Sequence, residues 1–265
     1  MLLSISHTST YRYDRPVNYA VQRLRLWPRD SSVQLVQNWK VDVVGASSEL
    51  SYDDAFANRT ELLRSLPDTS EIVIHATGQV MTKDTAGVLG ADTAVPPLWV
   101  YLRQTSLTQA GEAVRAMAAP LASVSSRLDL LHRLSAETTA RVAYIPGTTD
   151  VATAAEAALA NGSGVCQDHA HIFISAARLL GVPARYVSGY LLMEGQSEQT
   201  ATHAWAEAYV EDLGWVGFDA ANGVAPDEKY VRIACGLDYS QAAPITGLRS
   251  GSSVESLAVA LNVEQ

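Results

Sequence analysis

Cys166 is one of two cysteines in a chain of 265 residues. It stands near the head of the stretch "GVCQDHAHIFISAARLLGVPARYVSGYL", Gly164 to Leu191, with His169 and His171 close behind. Such a cysteine can be a packed thiol, a metal ligand or a nucleophile. Free cysteine commonly packs as a small hydrophobe. A metal site would draw on Cys166, His169 and His171. On a helix, offsets of 3 and 5 carry His171 away from Cys166, and no second Cys-x-x-Cys or His-x-x-x-His completes the ligand set. A nucleophile needs a histidine from elsewhere and a group to orient that histidine.

The stretch "THAWAEAYVEDLGWVGFDAANG", Thr202 to Gly223, offers both. As a strand, "HAWAEAYV" places His203, Trp205, Glu207 and Tyr209 on one face and Ala204, Ala206, Ala208 and Val210 on the other. The alanine face suits close packing on a helix. In "WVGFDA", Trp215, Gly217 and Asp219 share a face, and "EDLG" reads as the turn between the two strands. Parity puts His203 and Asp219 on one face of the hairpin. A three-residue turn at 212–214 would set Asp219 opposite Glu207, so Glu207 is a rival for orienting His203 unless a bulge, a longer loop or strong twist intervenes.

The elements that hold these residues are legible in outline. A helix starting at Cys166 places Ala170, Phe173, Ile174, Ala177 and Leu180 on one face. Gly181 suits the position after its end, and Pro183 prevents continuation. Its N-terminus offers unpaired N–H groups and partial positive charge, which suit an anionic sulfur. Asp168 can cap or pair near that start. Upstream, "TQAGEAVRAMAAPL" and "SRLDLLHRLSAETTARVAY" have helical spacing, the second with Ser125 or Ser126 as cap. "ATAAEAALANGSG" begins with Thr153 and Glu156 in capping-box spacing. Strands are expected at "ARYVSGYLL", "HAWAEAYVED", "WVGFDAA" and "SLAVALNV". Cys235 reads as a core thiol at a strand end, His169 and His171 as packed histidines, and Trp205 and Trp215 as core.

Residues 1 to about 82 read differently. "LLSISHTSTYRY", "AVQRLRLWPR", "VQLVQNWKVDVVG" and "EIVIHATGQVMT" are strand candidates, punctuated by Pro16, Pro28, Gly45 and Pro67. An antiparallel sandwich is the expected arrangement. Residues 83–97 look like a linker. The expected fold class is therefore α+β, in two units, 1–95 and 96–265.

Composition bounds the rest. The chain is 48% hydrophobic and 18% charged, enough for a sizeable core. A net charge of −9 argues against a nucleic-acid partner. No apolar run is long enough to span a membrane, and the start lacks the pattern of a secretory signal. With two cysteines and no signal, the cytoplasm is the expected compartment and no disulfide between Cys166 and Cys235 is expected. The sequons at Asn58 and Asn161 then carry no glycan meaning.

"GVCQDHAHIF", "HAWAEAYVEDLGWVGFDAANG" and "CGLDYS", in this order and spacing, resemble the bacterial transglutaminase-like superfamily, whose members are often labelled cysteine proteases. The opening "SHTSTYRYDRPV" and "RLRLWPR" resemble the β-rich region that precedes the core in those proteins. The resemblance covers nearly the whole chain and is weakest at 83–150. It implies a papain-like, transglutaminase-like core with a Cys–His–Asp triad of Cys166, His203 and Asp219, favouring Asp219 over Glu207. It also implies acyl-enzyme chemistry on a peptide or amide substrate, without cofactor or metal. Two departures stand out: "DAAN" (Asp219–Asn222) replaces Asp-Pro-Thr-Asn, and Leu237 replaces an arginine. The Cys166 N–H would form half of an oxyanion hole. The second donor is open, with Gln167 and Tyr144 as candidates. Transfer to an amine, or a silent binding role for the same cleft, are the rival readings.

Overall fold

The structure is a computed structural model that describes residues 1–17, 19–91, 96–250 and 253–265. Seven strands come first: β1 Leu2–Val17, β2 Tyr19–Leu24, β3 Gln34–Val44, β4 Ala46–Asp53, β5 Arg59–Ser65, β6 Thr69–Thr82 and β7 Val88–Gly90. Helical segments follow: a 3-10 turn Leu98–Leu102, α1 Glu112–Ala118, a 3-10 turn Ala119–Ser123 and α2 Arg127–Arg141. Next come β8 Ala143–Tyr144, α3 Ala155–Asn161, β9 Ser163–Gly164 and α4 Cys166–Leu179. The remainder is β10 Ala184–Leu191, β11 Glu198–Gln199, β12 His203–Val210, β13 Gly214–Phe218, β14 Tyr230–Gly236, α5 Tyr239–Ala242, β15 Ile245–Ser250 and β16 Glu255–Glu264.

The fold is α+β, as expected. Two antiparallel sheets, ordered β11-β16-β1-β6-β3 and β15-β2-β5-β4, face each other across a core that includes Leu3, Ile5, Leu24, Leu63, Ile72 and Ile74. Strict alternation along β1 and β6 drives this packing: inward residues are buried and their neighbours partly exposed. A third sheet, β14-β10-β12-β13-β7, carries α4 on the alanine face of β12. Ala204, Ala206 and Ala208 let the helix approach closely, and they share one core with Ala170, Phe173, Ile174 and Ala177.

Strand pairing does not follow a cut after residue 95, and residues 92–95 lie outside the described residues. β16, expected among the strands of the second unit, pairs antiparallel with β1 from Ser4↔Glu264 to Tyr13↔Glu255. β15 pairs with β2, and β7, in the expected linker, pairs with β13. Strands β15 and β16 complete the N-terminal sheets, because β2 and β1 would otherwise be exposed edges. The core of those sheets also takes in Tyr190, Val231 and Ile233 from β10 and β14.

Local signals differ in how well they foretell the caps. Ser126 caps α2 by accepting from the Asp129 N–H at 3.3 Å. Thr153 does not cap α3, which starts after Ala154. Its hydroxyl bonds Asp150 instead. Glu156 turns away to a neighbouring helix and accepts from the N–H groups of Gly111, Ala113 and Val114 at the start of α1. The carboxylate thus satisfies donors of a different helix from the one that contains it.

Candidate active site

Cys166 opens α4, and the helix ends before Gly181, whose φ of 77° is the left-handed conformation expected there. Asp168 shapes the approach to the cysteine. Its Oδ2 accepts from the Val165 N–H at 2.8 Å and from the Thr149 hydroxyl at 2.6 Å. That carboxylate sits against Gly164, where an added Cβ would lie 2.7 Å from Asp168 Oδ2. Only glycine fits, so the turn into the helix is fixed by backbone and carboxylate together. Cys166 is 9% exposed and Cys235 only 1%, and both are free thiols.

His203, at the first position of β12, lies against Cys166. Its Nε2 is 2.7 Å from Asp219 Oδ2, which leaves Nδ1 as the ring nitrogen free to face Cys166. Burial by itself lowers the imidazole pKa. The hydrogen bond to Asp219, with the charges of Asp219 and Cys166, outweighs burial and pushes it up to about 10. The ring stacks on Trp205, with centroids 6.3 Å apart, and meets Tyr230 at 5.9 Å.

Asp219 is fully buried and richly bonded. Oδ1 accepts from the Ala221 and Asn222 N–H groups at 3.0 and 3.2 Å. Oδ2 accepts from His203, from Asn222 Nδ2 at 2.7 Å and from the Tyr230 hydroxyl at 2.8 Å. Burial raises its pKa, but the bonds from His203, Asn222 and Tyr230 overcome that and hold the carboxyl below its ordinary value. The "DAAN" turn, Asp219–Asn222, therefore presents the aspartate through its own backbone.

The hairpin register explains how Asp219 reaches His203. The turn is 211–213, not 212–214: Val210 pairs with Gly214, Glu207 with Gly217 and Ala206 with Phe218. Extended by one pair, that register sets Asp219 opposite Trp205, one diagonal step from His203. The ladder ends there, and Asp219 bridges instead to Val224. Glu207, the rival carboxylate, is engaged by two arginines, Arg185 at 2.5 Å and Arg232 at 3.0 Å. Arg185 is itself buried, with its guanidinium 4.0 Å from the Trp215 ring.

Other residues singled out by sequence are placed as structural groups. Both ring nitrogens of His169 lie 2.9 Å from backbone carbonyl oxygens, of Val165 and Val142. His171 Nε2 accepts from the Tyr239 N–H at 3.1 Å, and burial pushes its pKa down to about 4. Among the described residues no group of three His, Cys, Asp or Glu side chains could hold a metal ion. Cys235 packs with Val187, Trp205 and Tyr230. Leu237 packs with Tyr101 and Trp215 rather than opening a cleft. Asn58 is buried, bonded through its side chain to both backbone groups of Cys235. Among the described residues no helix is long and apolar enough to cross a membrane.

Sequence reasoning missed Tyr230. It sits in an ordinary strand, "EKYVRIACG", and only the pairing of β14 beside β10 brings its hydroxyl to Asp219. No spacing rule points to it.

A family model described as the transglutaminase-like superfamily matches residues 115–220, and one for the bacterial transglutaminase-like N-terminal region matches residues 3–81. An uncharacterized protein of Mycobacterium leprae is 27% identical over 98% of this chain and 98% of its own. An uncharacterized protein of Mycobacterium tuberculosis is 27% identical over 92% of this chain and 86% of its own. A solved structure titled a "putative cysteine protease" from Cytophaga hutchinsonii superposes with a TM-score of 0.77 at 20% identity, covering 100% of this chain and 98% of that one. The fold is shared with that structure, and the chain is similar to the transglutaminase-like superfamily over residues 115–220 and to the bacterial transglutaminase-like N-terminal region over residues 3–81.

Proposed function

We propose that the protein is a thiol-dependent amide-bond hydrolase, a peptidase or amidase that works through an acyl-enzyme on Cys166. The observation that carries this reading is the buried pair in which Asp219 holds His203 beside the cysteine at the head of α4, close enough for the sulfur to raise the imidazole pKa. His203 is a proton donor over most of the working range, since its pKa lies near 10. A protonated imidazole beside the sulfur favours the thiolate, as does a helix N-terminus. The sulfur attacks the amide carbonyl carbon, and the Cys166 N–H receives the oxyanion. His203 gives its proton to the leaving amine. A water, deprotonated by the same imidazole, then releases the acid. Asp219 fixes the ring and stabilises its cationic form. The exposed rim near Cys166 includes Tyr144, Ile145 and Val151, which favours amides flanked by apolar groups.

Incubation with a peptide library and a primary-amine probe, followed by mass spectrometry, tests the reading. Hydrolysis yields new carboxyl termini that depend on Cys166 and are lost in Cys166→Ala. Mass gain of the probe would assign acyl transfer instead. No Cys166-dependent product with either readout would leave the fold as a binding module.

A further inference from the structure

The Cys166 N–H supplies one half of an oxyanion hole, and a hole normally needs a second donor. Tyr144 stands where that donor would be. It pairs with Gly164 in the short β8–β9 ladder, and the next N–H, of Ile145, donates to the Gly164 carbonyl at 2.9 Å. Its backbone is thus tied two residues ahead of the cysteine. Its ring stacks on His169, with centroids 6.2 Å apart and planes at 29°. His169 lies one turn into α4 and is itself held between the Val142 and Val165 carbonyls. Backbone on one side and ring on the other aim the phenol at the first turn of the helix. Its oxygen faces Cys166 closely enough for the thiol to raise its pKa. An oxygen in that position stands where a substrate carbonyl oxygen must come. Half the residue is exposed, so it can yield to an entering acyl group by a small rotation. The other candidate, Gln167, has its amide turned to the Val151 carbonyl at 3.3 Å.

We propose that Tyr144 donates the second hydrogen bond to the oxyanion formed at Cys166, a role that rests on the thiol-nucleophile reading above. As the C–S bond forms, the carbonyl π pair moves to oxygen, which accepts from the Cys166 N–H and the Tyr144 O–H. The pair returns as the bond to the leaving group breaks, and the leaving group takes its proton from His203. The phenol keeps its proton throughout. Burial, with the charge of Cys166, pushes the Tyr144 pKa up to about 12, so it remains a neutral donor.

Two reagents on the full chain separate this role from a structural one. p-Nitrophenyl acetate acylates a thiolate through an oxyanion and expels p-nitrophenolate. Iodoacetamide alkylates it by direct displacement at carbon, with no oxyanion. Tyr144→Phe should slow acylation of Cys166 by about 10²–10³-fold, the usual effect of deleting one such donor, and leave alkylation within about threefold of the parent. Its KM for the ester should stay near the parent value while kcat falls. Equal losses with both reagents, or acylation at the parent rate, would overturn the assignment while leaving Cys166 as nucleophile. A parent protein that is alkylated at Cys166 but never acylated would overturn the acyl-enzyme reading, and the role of Tyr144 with it.

Discussion

Two buried carboxylates lie within reach of the hairpin that carries His203, and they do different work. Asp219 accepts from five donors, of which His203 is one. Glu207 neutralises Arg185 and Arg232. Their substitutions should therefore separate. Asp219→Ala should cut amide turnover by about 10²–10⁴-fold and leave residual activity, because the sulfur and the helix N–H remain. Glu207→Ala leaves the buried Arg185 without its carboxylate. It should cost about 3–5 kcal/mol of stability, read as a lower urea midpoint, while the folded fraction keeps its Cys166 reactivity. The reverse pattern would make Glu207 the orienting group.

At the scale of elements, α1 depends on a residue far along the chain. Glu156 on α3 accepts from three N–H groups at the head of α1. Glu156→Ala should cost about 1–3 kcal/mol in denaturant unfolding, since those donors lose a charged acceptor. Glu156→Gln should recover part of the loss. The same residue marks the limit of sequence reading. Glu156 three places after Thr153 fits a local capping box, yet the structure uses it across space. By contrast, α4 ends where Gly181 and Pro183 require it, and β12 shows its alanine face to α4, because these signals act within one turn or one pleat. Cys166, His203 and Asp219 were legible as residue types in order. Parity alone left Asp219 and Glu207 open, since the diagonal register depends on which three residues make the turn. Tyr230 was invisible because long-range strand pairing alone brings it to Asp219.

At the scale of the whole molecule, the N-terminal sheets and the third sheet share buried side chains. His7 on β1 lies 3.0 Å through Nδ1 from the Tyr190 hydroxyl on β10. Burial, with the nearby His75, lowers the His7 pKa to about 4, and burial lowers His171 likewise. Between pH 6.5, their ordinary value, and about 4, the unfolded chain binds protons that these folded histidines refuse. Stability should fall as pH drops through that window. His203 has the opposite sign. Its raised pKa stabilises the fold below 6.5, and that contribution is lost as pH rises towards about 10. Thermal unfolding should therefore show a maximum Tm near pH 6.5. His7→Gln should flatten the acid side and His203→Gln the alkaline side. A Tm independent of pH across both windows would contradict these assignments.

The central claim is that His203, held by Asp219, keeps Cys166 ready as a nucleophile. The rate of Cys166 alkylation by iodoacetamide against pH tests it most directly. With His203 held protonated by Asp219, the parent protein should react at Cys166 well ahead of His203→Ala at about pH 6. Cys235, 1% exposed, should stay unlabelled. His203→Ala should lose about 10²-fold or more at the lower pH. A parent rate that falls with pH as steeply as that of His203→Ala would contradict the account.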